Sequence, residues 1–429
     1  MQGSVAVALA RRAMSAAVNH DRDQLRVHLA LNCLAAMGEE DLSPAVASVL
    51  EGGAGRAAQA FRLAAAMHAR TQDDNFAEGR IHIGTMVVPA VLACDAADPI
   101  GAMAAGYEVA QLISTTYTLH AQALGLRPTP IFGAMGAAAA AAVALGAAES
   151  QVATAICFAA STASGTNQAW LDGAEEWLYQ VSSAARIGVE AALLAMAGVP
   201  ASAHAFEGDS GFCRLLGDAG ATLLGARLAE PLTSPAEVEN KPLPIGGVAL
   251  SATLLAIDLG AATGSQPPES LVVRLPRAKA NYPGALNRGP FKGRSDSLMS
   301  VARCVTLGYL YGNVPYAKTG SDLTGVEQDV LDRTVVIPDD DLPDGEARLE
   351  LTIAGETRVA EGECREILYP AWEAIADGID VVAGRYEAPV GAARELVERI
   401  ALDDRGADVL AVIRTAKPDA AANVMEGIL

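Results

Sequence analysis

The chain has 429 residues, of which 51% are hydrophobic but only 4% aromatic, and a formal charge of −20. That length suffices for two domains and a full core, and a core so poor in aromatics has to be built from Ala, Leu and Val, whose small side chains let helices approach closely. So acidic a chain makes a poor partner for nucleic acid or an anionic membrane, since both need a basic face, although net charge leaves the local charge of a pocket open.

In chain order, residues 1–20 read as an Ala-rich helix carrying Arg11 and Arg12. Asp21 is placed to cap a second helix with Leu25, Val27, Leu29, Leu31 and Leu34, which Gly38 stops. Pro44 opens a short helix and Gly52-Gly53 break the pattern. Further helices are expected over 55–69, 87–95, 98–119, 131–146, 149–164, 183–198 and 211–216. The uncharged run between Arg127 and Glu149 is long enough to cross a bilayer, but it is mostly Ala and Gly, whereas spanning helices are rich in Leu, Ile, Phe and Val. It reads as a core helix. Past Ser251–Leu259 the character changes: 271–275, 333–337, 348–353 and 357–361 read as strands, the last two joined by a turn at Gly355, and a helix is expected over about 295–310. From about Pro389 the chain reads helical again. The expected fold is mainly α, with an all-helical domain formed by 1–258 and 388–429 and interrupted by a smaller α+β domain over 259–387.

The six cysteines (Cys33, Cys94, Cys157, Cys213, Cys304, Cys364) are scattered, without a Cys-x-x-Cys. That fits reduced, packed thiols in a cytoplasm better than disulfides or a metal centre. The first residues lack the order of basic, apolar and cleavage segments that a signal peptide needs, so a cytoplasmic location is expected. There is no Walker loop, dinucleotide fingerprint, nucleophile elbow or His-Glu-x-x-His. Nucleotide binding, serine hydrolysis and zinc chemistry therefore have little to stand on.

One polar stretch interrupts the apolar helices: two histidines, His68 and His82, flank adjacent carboxylates at Asp73 and Asp74 and an amide at Asn75, with Gly84 after them and Pro89 opening the next apolar segment. A helix N-terminus facing such a loop suits an anionic ligand, and an Asx-rich turn with a surface histidine is the plainer alternative. His82 has the side chain best suited to moving a proton near neutral pH, though a structural histidine has the same appearance in sequence. Arg127, in Gly125-Leu-Arg-Pro-Thr-Pro130, can grip a carboxylate in bidentate fashion or bond a helix end. Lys241 begins Lys-Pro-Leu-Pro-Ile-Gly-Gly247, where it can hold an anion or sit solvated before a turn. Trp177, Tyr179 and Gln180 lie in a segment read as a connection between helices, and either line a pocket or plug the core.

Together these segments resemble the MmgE/PrpD family, which includes 2-methylcitrate dehydratase, cis-aconitate decarboxylase and iminodisuccinate epimerase. The resemblance rests on His68-Ala…Asp73-Asp74…His82-x-Gly84…Val88-Pro89-Ala, on Phe132-Gly-Ala-Met-Gly-Ala-Ala-Ala-Ala and on Ala184-Ala-Arg-Ile-Gly-Val-Glu-Ala-Ala-Leu-Leu-Ala. Glu207-Gly…Gly211-Phe, Lys241-Pro-Leu-Pro and Asn281-Tyr-Pro-Gly…Gly289-Pro-Phe…Met299-Ser300 extend it over nearly the whole chain. It implies a helical domain with a smaller α+β lid, a homodimer, and an active site between the domains without metal or organic cofactor. His82 and Lys241 match pocket residues of the family, and Asp73 and Asp74 its acidic pair. Five positions depart from the pattern: Thr71 stands for an aspartate, Asn75 for a threonine, Arg127 for a histidine, and Glu176-Trp177 for Thr-Lys. Losing a fixed cation weakens the case for a tricarboxylate, since removing one partner of a buried charge pair costs about 2–5 kcal/mol.

The resemblance implies a small-molecule lyase or isomerase that removes a proton beside a carboxylate or carbonyl. His82 would carry the proton, Arg127 and Lys241 would hold the anionic group in an electropositive pocket, and Asp73, Asp74, Asn75, Trp177, Tyr179 and Gln180 would orient the substrate. Elimination, decarboxylation and epimerisation share that first step. Two alternatives stand beside it: a remodelled member isomerising or cyclising a larger, less charged intermediate, and a helical dimer that has lost catalysis.

Overall fold

The structure, a computed structural model, describes residues 4–38 and 55–416. It is mainly α. The first helices are α1 (Val5–Asn19), α2 (Arg22–Met37), α3 (Arg56–Ala69), α4 (Gly84–Ala93) and α5 (Pro99–Ala123). They are followed by α6 (Pro128–Ala144), α7 (Glu149–Thr162), α8 (Gln168–Asp172) and α9 (Glu176–Met196). Their starts follow local chemistry. The Asp21 carboxylate accepts from the amides of Asp23 and Gln24 at the head of α2, and Asp98 accepts from Gly101 at the head of α5, where Pro99 needs no hydrogen-bond partner.

Small residues set the spacing of the body. A Cβ on Gly136 of α6 would lie 2.8 Å from the carbonyl oxygen of Gly106 on α5, and one on Gly106 would lie 2.9 Å from that of Gly136. The two backbones therefore touch where no other residue fits. The Ala-rich run of α6 is buried throughout from Pro128 to Ala142, which is why an uncharged segment of this length belongs to a core. Among the described residues, no helix is long and apolar enough to cross a membrane.

A four-stranded sheet forms the second unit. Its strands are β3 (Ser270–Pro276), β4 (Thr334–Asp339), β5 (Ala347–Ile353) and β6 (Glu356–Gly362), in the order β4-β3-β5-β6, while β1 (Asp74–Asn75) and β2 (Glu239–Asn240) form a separate two-stranded ribbon. β3 runs parallel to β4 (Leu271 opposite Thr334) and antiparallel to β5 (Ser270 opposite Thr352). β5 and β6 pair antiparallel across the Gly355 turn. Alternation buries Leu271, Val273 and Leu275 of β3 and Ala347, Leu349 and Leu351 of β5 on one face, against α10 (Leu250–Thr263) and α11 (Val301–Tyr311).

The hydrophobic cores divide the chain at other points than composition suggests. Leu243 to Leu259 pack in the sheet's core, so the expected change-over at 258/259 falls inside α10. Ile375, Ile379, Ala383 and Tyr386, expected with the α+β unit, join the core of the helical body, as do Leu396, Val397 and Val409 of the C-terminal helices Val390–Ala401 and Gly406–Ala416.

Local differences have local causes. Pro89 lies inside α4 rather than at its start, because the helix begins at Gly84. The segment read as a connection at 173–182 is mostly helix: Gly173 turns left-handed (φ 70°) after α8, and α9 starts at Glu176. The helix expected over 295–310 breaks at Ser300, whose hydroxyl accepts from the Arg303 amide and starts α11 afresh. The expected Pro44 helix and the Gly52-Gly53 break lie outside the described residues. A small cluster of Phe61, Trp170, Trp177 and Met299 joins the two cores. The site lies beside that junction.

Candidate active site

A two-stranded ribbon carries the polar centre. β1 (Asp74–Asn75) pairs antiparallel with β2 (Glu239–Asn240), Asp74 opposite Asn240 and Asn75 opposite Glu239. The Lys241 amide continues the pairing by donating to the Asp73 carbonyl (3.1 Å). Alternation then sorts the side chains onto two faces.

One face enters the helical body. The Asp74 carboxylate accepts from the Gly84 amide at 2.9 and 3.0 Å, at the first residue of α4, and from the Tyr107 hydroxyl. The helix N-terminus that the sequence offers to an anionic ligand is thus filled by the chain's own carboxylate. Gly84 permits it, since a Cβ there would lie 2.7 Å from Asp74 Oδ2. Burial pushes the Asp74 carboxyl above its usual range, against the pull of His28, Tyr107 and the Gly84 amide. Asn240 on the same face meets Nδ1 of His28 at 3.0 Å.

The other face holds Asp73, Asn75, Glu239 and Lys241. Asp73 is fully buried and shared: Oδ1 pairs with Lys241 Nζ at 2.5 Å and lies 3.4 Å from His82 Nδ1, while Oδ2 accepts from His68 Nδ1. Burial alone would raise its pKa, but the Lys241 ammonium, joined in acid by His82 and His68 as they charge, outweighs it and holds the carboxyl well below its usual range. His68 Nε2 lies 3.0 Å from Nη2 of Arg127. A guanidinium only donates, so Nε2 of His68 is the bare nitrogen and Nδ1 carries the hydrogen given to Asp73. Burial keeps this ring neutral, with its pKa lowered to about 4.

His82 follows the same logic. Its Nδ1 lies 2.8 Å from the Asp74 carbonyl oxygen, which only accepts, so Nδ1 carries the hydrogen and Nε2 keeps its lone pair. Lys241 Nζ, at 3.5 Å from Nδ1, is a neighbouring charge rather than a donor to that atom. Burial and then the Lys241 ammonium lower the His82 pKa well below its usual value. At neutral pH this is an unprotonated base.

A cavity of about 380 Å³ opens over this face. His82, Lys241, Arg127 and Asn75 line it together with His68 and Trp170, and the second unit closes it with Tyr282, Met299 and Tyr369. Arg127 immediately precedes α6, and its guanidinium donates to the Trp177 carbonyl (2.5 Å) and the Gln180 amide oxygen (3.3 Å) and lies 5.0 Å over the Trp170 ring. Burial lowers its pKa to about 10.

The remaining residues singled out in the sequence sit elsewhere. Asp73 and Asp74 lie beneath the cavity, with their carboxylates engaged by the protein itself. Trp177 is a layer behind, its ring against His68 and Trp170 (centroids 5.0 and 5.2 Å). Gln180 braces Arg127 and donates to the Thr166 carbonyl. Tyr179 is 52% exposed, packs edge-on against Phe61 and does not line the cavity. The lining is also less positive than expected: Arg80, Arg127, Lys241 and Lys279 face Glu78, Glu237, Glu239, Asp344 and Glu363. His68, Trp170, Tyr282 and Glu239 escaped notice as site residues. Tyr282 sits in the Asn281-Tyr-Pro-Gly turn, which reads as a shape signal, and Trp170 is one of only three tryptophans.

Residues 28–222 match the model of the MmgE/PrpD N-terminal domain. Over those residues the chain is similar to the MmgE/PrpD family. The match covers a little under half of the chain and takes in His68, Asp73, His82, Arg127 and Trp170, while Lys241 and the lining from the second unit lie beyond it. The MmgE/PrpD family includes dehydratases and related enzymes. No curated protein matches the chain.

Proposed function

We propose that the cavity is the active site of a lyase or isomerase that needs no cofactor for its first step, with His82 as the base. The observation that supports this most strongly is the hydrogen bond from Nδ1 to the Asp74 carbonyl, which leaves Nε2 bare on a ring that lines the cavity. Nε2 takes a proton from the carbon beside a carboxylate or carbonyl, and the electron pair moves onto that group's oxygen. Lys241 and Arg127 offset the charge developing there, in surroundings where fixed charges act strongly. The imidazolium that forms lies 3.4 Å from the Asp73 carboxylate, which stabilises it. Expulsion of a β-substituent with the electron pair then gives elimination, and return of a proton to the opposite face gives epimerisation. Decarboxylation follows when the proton first returns at a carbon that leaves a carboxylate β to a carbonyl or alkene, so that CO2 departs and a second proton takes its place.

The mixed lining and the walls of Trp170, Tyr282 and Tyr369 favour a substrate less anionic than a tricarboxylate, within the same first step. The test is deuterium exchange in D2O followed by NMR, with 2-methylcitrate, cis-aconitate and keto or amino acids of similar size. Deuterium should enter beside the carbonyl of at least one of these, and not with His82→Gln. Exchange that survives His82→Gln, or exchange with none of them, refutes the reading.

A further inference from the structure

A buried carboxylate without a counter-ion lies at the other end of the ribbon. Glu239 is 4% exposed and lines the cavity. Its Oε2 accepts from the Asn75 amide at 2.6 Å and its Oε1 from the Tyr369 hydroxyl at 3.3 Å, both of them neutral donors. Among the described residues, no basic nitrogen comes within 4.0 Å of it. Arg365 lies within electrostatic reach but is bonded to Glu363 at 3.0 Å. A carboxylate this deeply buried ordinarily has a cation beside it.

Glu239 and Lys241 are two residues apart along one strand direction, so they share a face at about 7 Å spacing. Lys241 is neutralised by Asp73, and Glu239 has no such partner. The ribbon therefore offers the cavity one compensated and one uncompensated charge, with His82 held beside them by the Asp74 carbonyl. We infer that the substrate carries a protonated amino group that seats on Glu239 while its acidic carbon faces His82. Glu239 is then the specificity-determining residue, and Glu237 and Glu363 at the lining add attraction for the same cation. This inference rests on the proton-transfer reading of the same cavity.

The test uses the full chain and matched ligands: aspartate, glutamate and 5-aminovalerate, each beside the acid lacking the amine (succinate, glutarate and valerate). Calorimetry should show at least one amine bound about tenfold more tightly than its partner acid, the scale of one charge-assisted hydrogen bond. Glu239→Gln keeps the size and both neutral contacts, and it should abolish the preference while its circular dichroism stays native. Tyr369→Phe keeps the charge and should keep the preference. Equal or weaker binding of the amines, no binding of either series, or a preference that survives Glu239→Gln overturns the inference. Deuterium exchange on the same ligands separates the two claims. His82-dependent exchange without amine preference leaves the base in place and removes the role of Glu239, whereas amine preference without exchange refutes the base.

Discussion

The two ends of the ribbon treat buried charge differently. At the Asp73 end the carboxylate is engaged on both oxygens, by Lys241 at 2.5 Å and by His68, with Arg127 behind His68. At the Glu239 end a carboxylate just as deeply buried meets only an amide and a phenol. A closed network of this kind costs desolvation but holds its members in one geometry, which a catalytic group needs. An open one leaves interaction energy for a ligand to collect. On the proposed reading, the first end positions the base and the second selects the substrate.

The largest expected effect falls on His82, the proposed base. His82→Gln removes Nε2 as a proton acceptor and should lower the rate of deuterium exchange about 100- to 10,000-fold, with little change in the unfolding midpoint. A smaller loss would move the proton transfer to another group.

Stability should then split the ends apart. Asp73→Asn strands the Lys241 ammonium in a buried site and should cost about 3–5 kcal/mol in urea unfolding. Glu239→Gln removes a charge that has no counter-ion and should leave stability unchanged or raise it by up to about 1 kcal/mol. Equal losses from both would mean that Glu239 has an electrostatic partner in the folded protein, and the contrast would fail.

Acid sharpens the same contrast through the histidines. His68 titrates at about 4 in the folded protein and near 6.5 when unfolded, and His82 is lowered in the same sense. The unfolded chain therefore binds more protons, and stability should fall steadily as pH drops from about 6.5 to about 4. Asp74, pushed upward by burial, offsets part of this at the acid end, while the contribution of Asp73 is lost only at lower pH still, as its depressed pKa is reached. Urea midpoints between pH 7 and 4.5 should show the decline, with a shallower slope in His82→Gln. A flat profile would mean that neither ring is held neutral.

How much of this can be read in the sequence depends on the range of the interaction. Helices announce themselves through apolar periodicity, and α2, α5, α6 and α7 lie within a few residues of expectation, as do the four strands of the sheet. The core boundaries do not, because whether α10 packs on helices or on a sheet is decided by contacts far along the chain. His82, Lys241, Arg127 and Asn75 stand out by residue type, and the fold brings all four to one cavity. Glu239 is invisible as a site residue, since nothing in Val238-Glu-Asn240 distinguishes it from a surface glutamate until Asn75 pairs with it across the ribbon. Asp74 misleads in the opposite direction: it reads as a ligand-binding acid and instead caps a helix of its own chain.

Tyr179 gives the smallest effect and the cleanest check on that reasoning. Its neighbours in sequence, Trp177 and Gln180, brace the arginine from behind, whereas one step around the helix turns Tyr179 outward onto Phe61. A helix of 3.6 residues per turn presents successive side chains about 100° apart, so a pocket-wall assignment cannot hold for three residues this close together. Tyr179→Ala should lose only the edge contact with Phe61, about 1 kcal/mol or less, and leave deuterium exchange within about twofold. A tenfold loss of exchange would place the phenol near the substrate and require the wall of the cavity to extend beyond Trp170 on that side.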